Sequence, residues 1–361
     1  MDNFNYCVIM AGGIGSRFWP ISRANMPKQF IDITGTGKTL IQQTYDRFIK
    51  IIPEDNIYVV TNEEYRNIVK EQLPNIVDDN ILGEPMRRNT APCVLYANKK
   101  IELKNPNASI VVTPADHLIV NENKFLNDIT EGLKHIKIHD ILLTLGITPD
   151  RPATGYGYIQ QEDILSNDKI KKVKTFTEKP HLELAKLFLQ SGDFLWNSGI
   201  FLWRNEIIDN AFKLYLPELH SLFSENIEYL NTEKEKSVIN RIYSDAKGTS
   251  IDYGIMEKAE NVYVLKTDFG WSDLGTWNSL YSLLEKDENQ NVIACENVIT
   301  DNAHQNYIKS TSKNKILVLK DLKDYIVVDT DSVLLICKRE NEQQIENLLN
   351  ESKLKFGEWI K

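Results

Sequence analysis

The feature that most constrains this sequence is the alternation of short apolar runs with longer helical patterns over its first 150 residues. The runs "YCVIM", "NIYVVT", "SIVVTP" and "DILLTLGI" are apolar throughout, which is typical of strands buried on both faces. Between them, "KTLIQQTYDRFIKI" and "NTAPCVLYANKKIEL" repeat apolar residues at helical spacing, and Pro92 comes early enough for a first helical turn. The sequence therefore predicts an α/β fold with a largely parallel sheet and helices on both faces.

The later residues divide into two parts. Residues 151–283 continue the first domain in less regular order, and "HLELAKLFLQSG" predicts a helix ended by Gly192. After residue 285, short strands such as "NVIACENVIT", "DYIVVDT" and "SVLLICKR" follow at close spacing, with Asn and Asp at the turns. This pattern predicts a small all-β module, a short β-solenoid closed by a polar helix at "ENEQQIENLLNE". We expect domains at 1–284 and 285–361.

Composition excludes several classes of function. The net charge of −9 argues against nonspecific nucleic-acid binding, so any anionic ligand must be met by a few local cations. No apolar run approaches the roughly 20 residues of a membrane span, and the N-terminus lacks the basic run of a signal peptide. The scattered cysteines predict core thiols in a reducing compartment, above all Cys7 and Cys337, which lie inside apolar stretches. We expect a cytoplasmic protein that does not bind membranes.

The stretch "CVIMAGGIGSRFWPISRANMPKQF", residues 7–30, places a glycine-rich loop after the first strand. The dinucleotide pattern GxGxxG fails because its third glycine position holds Phe18. A phosphate loop ending in "GKT" at residues 37–39 fails because its first glycine position holds Asp32, whose charge would repel phosphate. In a third interpretation, Gly12 and Gly13 turn backbone N–H groups toward phosphate oxygens. A tight turn beside two surface cations remains the alternative.

The loop and six further segments resemble the sugar nucleotidyltransferases and, within them, the mannose-1-phosphate guanylyltransferases. The segments "GEPMRRNTAP", "VVTPADH", "FTEKP", "WNSGIFLW", "SIDYGIMEK" and "GWSDLGTW" occur in the order of that family and at similar spacings. The resemblance covers nearly the whole chain. It implies a Rossmann-like catalytic domain with a mixed, mostly parallel sheet, followed by a short left-handed β-helix.

The resemblance implies transfer of GMP from GTP to α-D-mannose 1-phosphate, with pyrophosphate as the leaving group. The attacking sugar phosphate is already an anion, so the reaction needs cations and a divalent metal rather than a general base. Arg17 and Lys28 are expected to contact phosphates, and Asp116 and Asp273 are expected to bind Mg²⁺. From the sequence alone, a cap on the helix that follows is the favoured role of Asp273, and only the resemblance favours metal binding instead.

The remaining expected contacts also follow from the resemblance. Nucleotide binding is assigned to Ala11, Gly12, Gly13, Gly15, Ser16, Glu84, Arg88, Asn89 and Thr90. Binding of the sugar phosphate is assigned to Gly155, Glu178, Lys179 and Asn197. Asp252 receives only a supporting role, and an exposed charged turn is the alternative explanation of "EKP".

Two alternatives to this function stay open. One is a nucleotidyltransferase for another sugar 1-phosphate or another nucleotide, and the other is a catalytically inactive regulatory homologue. The presence of Arg17, Lys28, Asp116, Lys179 and Asp273 favours an active enzyme. Since the chain ends soon after the β module, we expect the single-activity form without an isomerase domain, and a homodimer by analogy.

Overall fold

The computed structural model describes residues 2–162 and 168–357. Its strands in the first part of the chain are β1 (Asn5–Met10), β2 (Ile57–Asn62), β3 (Ile81–Glu84), β4 (Ser109–Pro114), β5 (Leu118–Ile119), β6 (Leu142–Ile147), β7 (Tyr158–Gln161), β8 (Ile170–Thr177), β9 (Phe194–Arg204), β10 (Val262–Thr267) and β11 (Trp271–Ser272). The later strands are β12 (Val292–Ala294), β13 (Val298–Asp301), β14 (Tyr307–Ser310), β15 (Leu317–Lys320), β16 (Tyr325–Asp329) and β17 (Leu334–Lys338). The α-helices are α1 (Leu40–Phe48), α2 (Arg66–Gln72), α3 (Thr90–Lys104), α4 (Glu122–Ile136), α5 (Leu182–Ser191), α6 (Asn205–Tyr215), α7 (Pro217–Ser224), α8 (Glu235–Asp245), α9 (Trp277–Leu283) and α10 (Ile345–Phe356).

The chain forms two compact units that are not continuous in sequence. The first contains Met1–Gly12, Thr44–Ala115 and Ile119–Trp271. The second contains Gly13–Gln43, Asp116–Leu118 and Ser272–Lys361. The residues from Ser272 onward therefore group with most of the glycine-rich loop, and the division expected at residues 284 and 285 stays a prediction.

The first unit is built on a mixed sheet. Within residues 2–162 and 168–357, nine strands pair in the order β3-β2-β1-β4-β9-β6-β10-β8-β7. The pairings β1–β2, β1–β4, β2–β3 and β6–β10 are parallel. The pairings of β9 with β4, β6 and β7, and of β8 with β7 and β10, are antiparallel. The mixed α/β sheet is confirmed, and the pairings place seven of its nine strands in one direction, with only β8 and β9 reversed.

The local predictions in this unit agree with the structure. Cys7, Val8 and Ile9 of β1 are fully buried, because the strand is covered on both faces. Helix α3 begins at Thr90 and has Pro92 in its first turn, and α5 ends at Gly192, whose φ is 75°. This positive φ is the left-handed conformation that glycine adopts without strain.

The second unit contains the expected β module. Strands β12, β14 and β16 pair in parallel, as do β13 and β15, and β17 pairs antiparallel with β16. Successive turns are joined by buried asparagines: Asn306 Nδ2 donates to Asn291 Oδ1 at 3.1 Å, and Tyr325 N donates to Asn306 Oδ1 at 2.9 Å. An aromatic core links the module to the loop after β1, because the Trp277 ring lies 4.9 Å from Phe18 and 5.0 Å from Tyr307. The parallel pairing is the arrangement that a β-solenoid requires.

The cysteines agree only partly with expectation. All four are free thiols; Cys7 and Cys93 are buried, whereas Cys295 and Cys337 are partly exposed. Cys337 lies on the same face of β17 as buried Leu335 and packs against the core, as expected, but it is only partly buried because β17 is the last strand of its sheet. In the described part of the chain, no helix combines the length and apolar character needed to cross a membrane.

Candidate active site

The glycine-rich loop begins directly after β1, and β2 fixes its first residue. The Ala11 N–H donates to the Val60 carbonyl at 2.7 Å, and the Thr61 hydroxyl donates to the Ala11 carbonyl at 2.9 Å. A Cβ atom on Gly12 would lie 3.4 Å from Glu84 Oε2, so the loop passes close to the end of β3. The loop therefore starts at the carboxyl ends of parallel strands, which is where open α/β sheets bind ligands.

In the second unit, Gly15 is required by both its conformation and its surroundings. Its φ is +64°, and a Cβ atom there would lie 2.5 Å from Lys28 Cβ. A side chain would be strained in this conformation and would clash with the segment around Lys28. Gln29 Nε2 adds a hydrogen bond of 2.9 Å to the Gly13 carbonyl. These contacts fix the path of the loop against residues 28 and 29.

Ser16 and Arg17 face a carboxylate that the sequence did not suggest. The Ser16 hydroxyl donates to Glu346 Oε1 at 2.5 Å, and Arg17 Nε lies 4.0 Å from the same oxygen. The Arg17 and Glu346 side chains are each 46% exposed. Glu346 lies in the first turn of α10, 330 residues after Ser16, so no local motif could reveal the contact.

Lys28 is buried, and protein oxygens surround its ammonium group. Its Nζ lies 2.7 Å from Asp116 Oδ2 and donates to the carbonyls of Asp273 and Leu274 at 2.9 and 3.0 Å. Since an ammonium group has three N–H donors, these contacts use all of them. Lys28 thus joins the two expected metal ligands, and its contact with a substrate phosphate stays a prediction.

Asp116 lies two residues after the end of β4 and is held in its charged form. Burial acts to raise the pKa of Asp116, but the positive charges of Lys28 and His117 outweigh it and keep the pKa below the ordinary value of 3.8. The carboxylate is therefore ionised at neutral pH. A permanently charged oxygen ligand of this kind suits a hard divalent cation.

Asp273 does not cap the helix that follows it. The N-cap of α9 is Thr276, whose side chain accepts from the Ser279 N–H in a capping box. Asp273 Oδ1 instead accepts from the Gly275 N–H at 2.9 Å, and Leu274 adopts a positive φ of 44°. The capping alternative is wrong, and the tight turn directs two carbonyl oxygens to Lys28.

The carboxylates can be tested against the chemistry of candidate metals. Among the residues that the structure describes, no group of three or more His, Cys, Asp or Glu side chains is arranged to hold a metal ion. A structural zinc site uses four protein ligands, so the pair of Asp116 and Asp273 does not fit one. The pair does fit Mg²⁺, which takes oxygen ligands and is commonly held by one or two carboxylates together with water and substrate phosphates.

Glu84 is the last residue of β3, and among the expected nucleotide-binding residues it is the one whose pKa is strongly shifted. It is 8% exposed, and the Tyr243 hydroxyl donates to its Oε1 at 2.8 Å. Burial raises the pKa of Glu84 to about 7, although the hydrogen bond from Tyr243 acts in the opposite direction. Tyr243 is a residue that sequence analysis missed, because it lies on α8, 159 residues away.

Arg88, Asn89 and Thr90 all contact the protein itself. Arg88 Nε donates to the Tyr243 carbonyl at 2.8 Å, which satisfies one of the last carbonyls of α8. Asn89 has a φ of 67°, and its side chain accepts from the N–H of Thr90. The Thr90 hydroxyl accepts from the Ile251 N–H at 2.9 Å. These contacts shape the segment after β3, and direct binding of the nucleotide by its residues stays a prediction.

The expected sugar-binding residues Glu178 and Lys179 form a tight turn after β8. Lys179 has a positive φ of 48°, and its Nζ lies 3.0 Å from Glu178 Oε1. The Glu178 side chain is 10% exposed, whereas that of Lys179 is 61% exposed. A Cβ atom on Gly157 would lie 2.4 Å from Glu178 Oε2, so glycine is needed for the carboxylate to occupy this position. The explanation of "EKP" as an exposed charged turn therefore holds for its lysine only, because the glutamate side chain points inward.

Asn197, in the middle of β9, is connected to a further carboxylate. Its Nδ2 donates to Asp252 Oδ1 at 2.9 Å, and its backbone N–H donates to the Gly157 carbonyl at 2.8 Å. The structure thus brings Asn197 and Asp252 together in the first unit. At Gly155, by contrast, a Cβ atom would meet nothing within 4 Å, so the backbone contact expected there stays a prediction.

Comparison with known proteins shows that nearly the whole chain is similar to one group of enzymes. Residues 6–290 match the family model described as nucleotidyl transferase. A mannose-1-phosphate guanylyltransferase from Escherichia coli is 33% identical over 95% of this chain and 74% of its own length. A mannose-1-phosphate guanylyltransferase from Salmonella montevideo is 36% identical over 96% of this chain and 74% of its own. A crystal structure described as mannose-1-phosphate geranyltransferase from Thermus thermophilus superposes with a TM-score of 0.86, at 25% identity, over 97% of this chain and 99% of its own.

Proposed function

The chain belongs to the nucleotidyl transferase family, and on that premise we propose that it transfers GMP from GTP to α-D-mannose 1-phosphate. The products are GDP-mannose and pyrophosphate. The observation that supports these substrates is the agreement of the curated relatives, which are named mannose-1-phosphate guanylyltransferase and match 95% and 96% of this chain. The enzyme is thus a nucleotidyltransferase, and GTP and mannose 1-phosphate are the proposed substrates.

In the proposed reaction, a phosphate oxygen of the sugar forms a bond to the α-phosphorus of GTP while the bond to pyrophosphate breaks. Both reactants are anions, so the barrier arises from charge repulsion and from alignment. When bound, Mg²⁺ would offset the charge on the phosphate oxygens, and Asp116 and Asp273 are the residues that would hold it. Lys28 links these two residues, because its ammonium group contacts the Asp116 carboxylate and the backbone carbonyl of Asp273.

The other residues are assigned by their exposure and chemistry. The Arg17 side chain is 46% exposed and can donate to the β- and γ-phosphates. A carboxylate at Glu84 can accept from guanine N1–H and N2–H₂, a pairing that adenine cannot make. Lys179, whose side chain is 61% exposed, suits the phosphate of the sugar, and Glu178 suits its hydroxyl groups.

The proposed substrates are tested by measuring pyrophosphate release with Mg²⁺. GTP, ATP, UTP, CTP and dTTP are each combined with mannose 1-phosphate and then with glucose 1-phosphate. We expect strong turnover only with GTP and mannose 1-phosphate. Turnover with a different pair would move the enzyme to a related activity, and a folded protein that binds nucleotide but turns over no pair would favour the regulatory alternative.

The metal assignment needs its own variant. Asp273→Ala should abolish turnover, and folding is verified by circular dichroism. Asp268→Asn serves as the matched control, because its side chain is 71% exposed and lies only five positions earlier. Near-normal rates in folded Asp273→Ala would contradict the two-carboxylate site for Mg²⁺.

Three wider features belong to the same proposal. We propose a cytoplasmic homodimer whose C-terminal module is a short left-handed β-helix. The parallel pairing of β12, β14 and β16 supports the solenoid arrangement. Light scattering tests the dimer, for which a mass near 83 kDa, about twice that of the 41.6 kDa chain, is expected.

A further inference from the structure

Asp252 is placed beside the expected sugar-binding residues by an unusual turn. It is the first residue of a π-helical turn, Asp252–Met256, a geometry that is rare and is often found at functional sites. Its Oδ1 accepts from Asn197 Nδ2 at 2.9 Å. The resemblance implies only a supporting role for Asp252, whereas the structure gives it a direct contact with an expected sugar-binding residue.

Orientation of Asn197 does not require Asp252. The Gly199 N–H donates to Asn197 Oδ1 at 3.2 Å, and the Thr144 hydroxyl lies 3.0 Å from the same oxygen. Two donors on the amide oxygen already determine which way the amide group points. A carboxylate on the opposite side adds a charge to an amide that other residues hold in place.

A second carboxylate lies in the same region. Glu178 is packed against Gly157, where even a methyl group would lie 2.4 Å from its Oε2. Burial, together with the negative charge of Glu178, raises the pKa of Asp252 to about 6. Placing two carboxyl groups of like charge in a partly buried region costs free energy, and such arrangements concentrate at binding and catalytic sites.

The chemistry of this pair limits what it can bind. A carboxylate has about four sites for hydrogen-bond donors, and the protein supplies Asp252 with the Asn197 amide and its own backbone N–H. Two carboxyl groups repel phosphate but accept strongly from hydroxyl groups. The phosphate of a bound sugar phosphate would therefore lie toward Lys179, and its hydroxyl groups toward the carboxyl pair.

We propose that Asp252 acts with Glu178 to bind hydroxyl groups of the hexose, and that Asp252 helps to determine which sugar the enzyme accepts. This inference rests on the proposed function, because it names a contact to the sugar of that substrate. The contact is made by the sugar alone, so nucleotide binding does not depend on it. This difference gives the inference a test that does not rely on turnover.

The test compares the affinities for GDP-mannose and GDP by isothermal titration calorimetry. The proteins are wild type, Asp252→Asn and, as matched control, Glu260→Gln, which changes an exposed carboxylate in the same segment. The asparagine variant keeps the shape of the side chain and an oxygen acceptor for Asn197, so it should fold. Loss of a charged hydrogen bond to a hydroxyl should weaken GDP-mannose binding about tenfold or more, leaving GDP binding unchanged.

The individual hydroxyl group is identified by kinetics with deoxy sugars. The KM values of wild type and Asp252→Asn are compared for mannose 1-phosphate and its 2-, 3-, 4- and 6-deoxy analogues. The variant should lose affinity for every analogue except the one that lacks the hydroxyl group bound by Asp252.

Four results would overturn the inference. Equal weakening of GDP and GDP-mannose would show a structural role for Asp252, and unchanged binding of both would show that it makes no contact. A uniform KM increase with all five sugars would also exclude a contact to one hydroxyl group. Failure of the wild type to bind GDP-mannose more tightly than GDP would overturn both this inference and the proposed function.

Discussion

Replacing Glu84 with glutamine should stabilise the protein at neutral and alkaline pH. Burial raises the pKa of Glu84 from 4.5 to about 7 in the folded protein. Between these two values the folded state keeps a proton that the unfolded state has lost. The contribution of Glu84 to the free energy of unfolding is therefore fully present below pH 4.5. It falls as the pH rises to about 7 and stays lost above that pH. Glu84→Gln removes this titration and keeps an oxygen that can accept from the Tyr243 hydroxyl.

The size of the effect follows from the same interval. One pH unit of difference between the folded and unfolded pKa corresponds to about 1.4 kcal/mol, so the interval from 4.5 to about 7 gives at most about 3 kcal/mol. Glu84→Gln should therefore gain up to about 3 kcal/mol relative to wild type at pH 8. Near pH 4 the two proteins should be equally stable, because the wild-type carboxyl group is then protonated in both states.

The assay is urea unfolding at pH 4, 5.5, 7 and 8, with the free energy of unfolding extrapolated to water. Glu64→Gln is the control, since it makes the same chemical change at an exposed position two residues after β2. A difference between Glu84→Gln and wild type that is constant across pH would refute the reasoning. So would a loss of stability at pH 8, because it would mean that the folded structure depends on the charged form of Glu84.

Three further changes test other contacts. Lys28→Met should lower the free energy of unfolding by about 3 kcal/mol, because it leaves Asp116 without its ion pair. Unchanged urea unfolding would mean that Lys28 has no role in stability and acts only on bound substrates. Gly157→Ala should raise the KM for mannose 1-phosphate at least about tenfold by displacing Glu178, and an unchanged KM would contradict that position of the carboxylate. Glu346→Gln should lower the KM for GTP by a few-fold, since it removes an exposed negative charge from the loop; a higher KM would show that the charge aids nucleotide binding.

The local elements were predictable because each depends on neighbouring residues. The buried strands, the start of α3 near Pro92 and the end of α5 at Gly192 agree with the patterns that predicted them. The direction of the strands was not predictable in the same way. β9 enters antiparallel between β4 and β6, and a strand buried on both faces has the same apolar composition in either direction.

In the candidate site, too, local features were predictable from the sequence and long-range contacts were not. Residue types came from motifs, and the structure shows Lys28 in contact with the Asp116 carboxylate and with the backbone carbonyl of Asp273, whereas a metal site shared by the two carboxylates stays a prediction. Contacts between residues far apart in the sequence were not predicted. Tyr243 of α8 donates a hydrogen bond to Glu84, and Glu346 of α10 accepts one from Ser16 of the loop. Side chains from distant elements meet only when the chain folds, so spacing within a motif contains no information about them.

Lys28 and Arg17 show how a motif can identify charge without identifying its use. Both are cations of the same loop region, yet Lys28 is 4% exposed with its three donors on protein oxygens, whereas Arg17 has a side chain that is 46% exposed. A phosphate that approached Lys28 would have to replace a hydrogen bond that is already made, and the buried oxygen left behind would cost about 1–3 kcal/mol. A phosphate that approached Arg17 would replace only a long contact with Glu346. We therefore expect Arg17 to be the better ligand for the triphosphate, and Lys28 to act through the Asp116 carboxylate and the backbone carbonyls of residues 273 and 274 that it contacts.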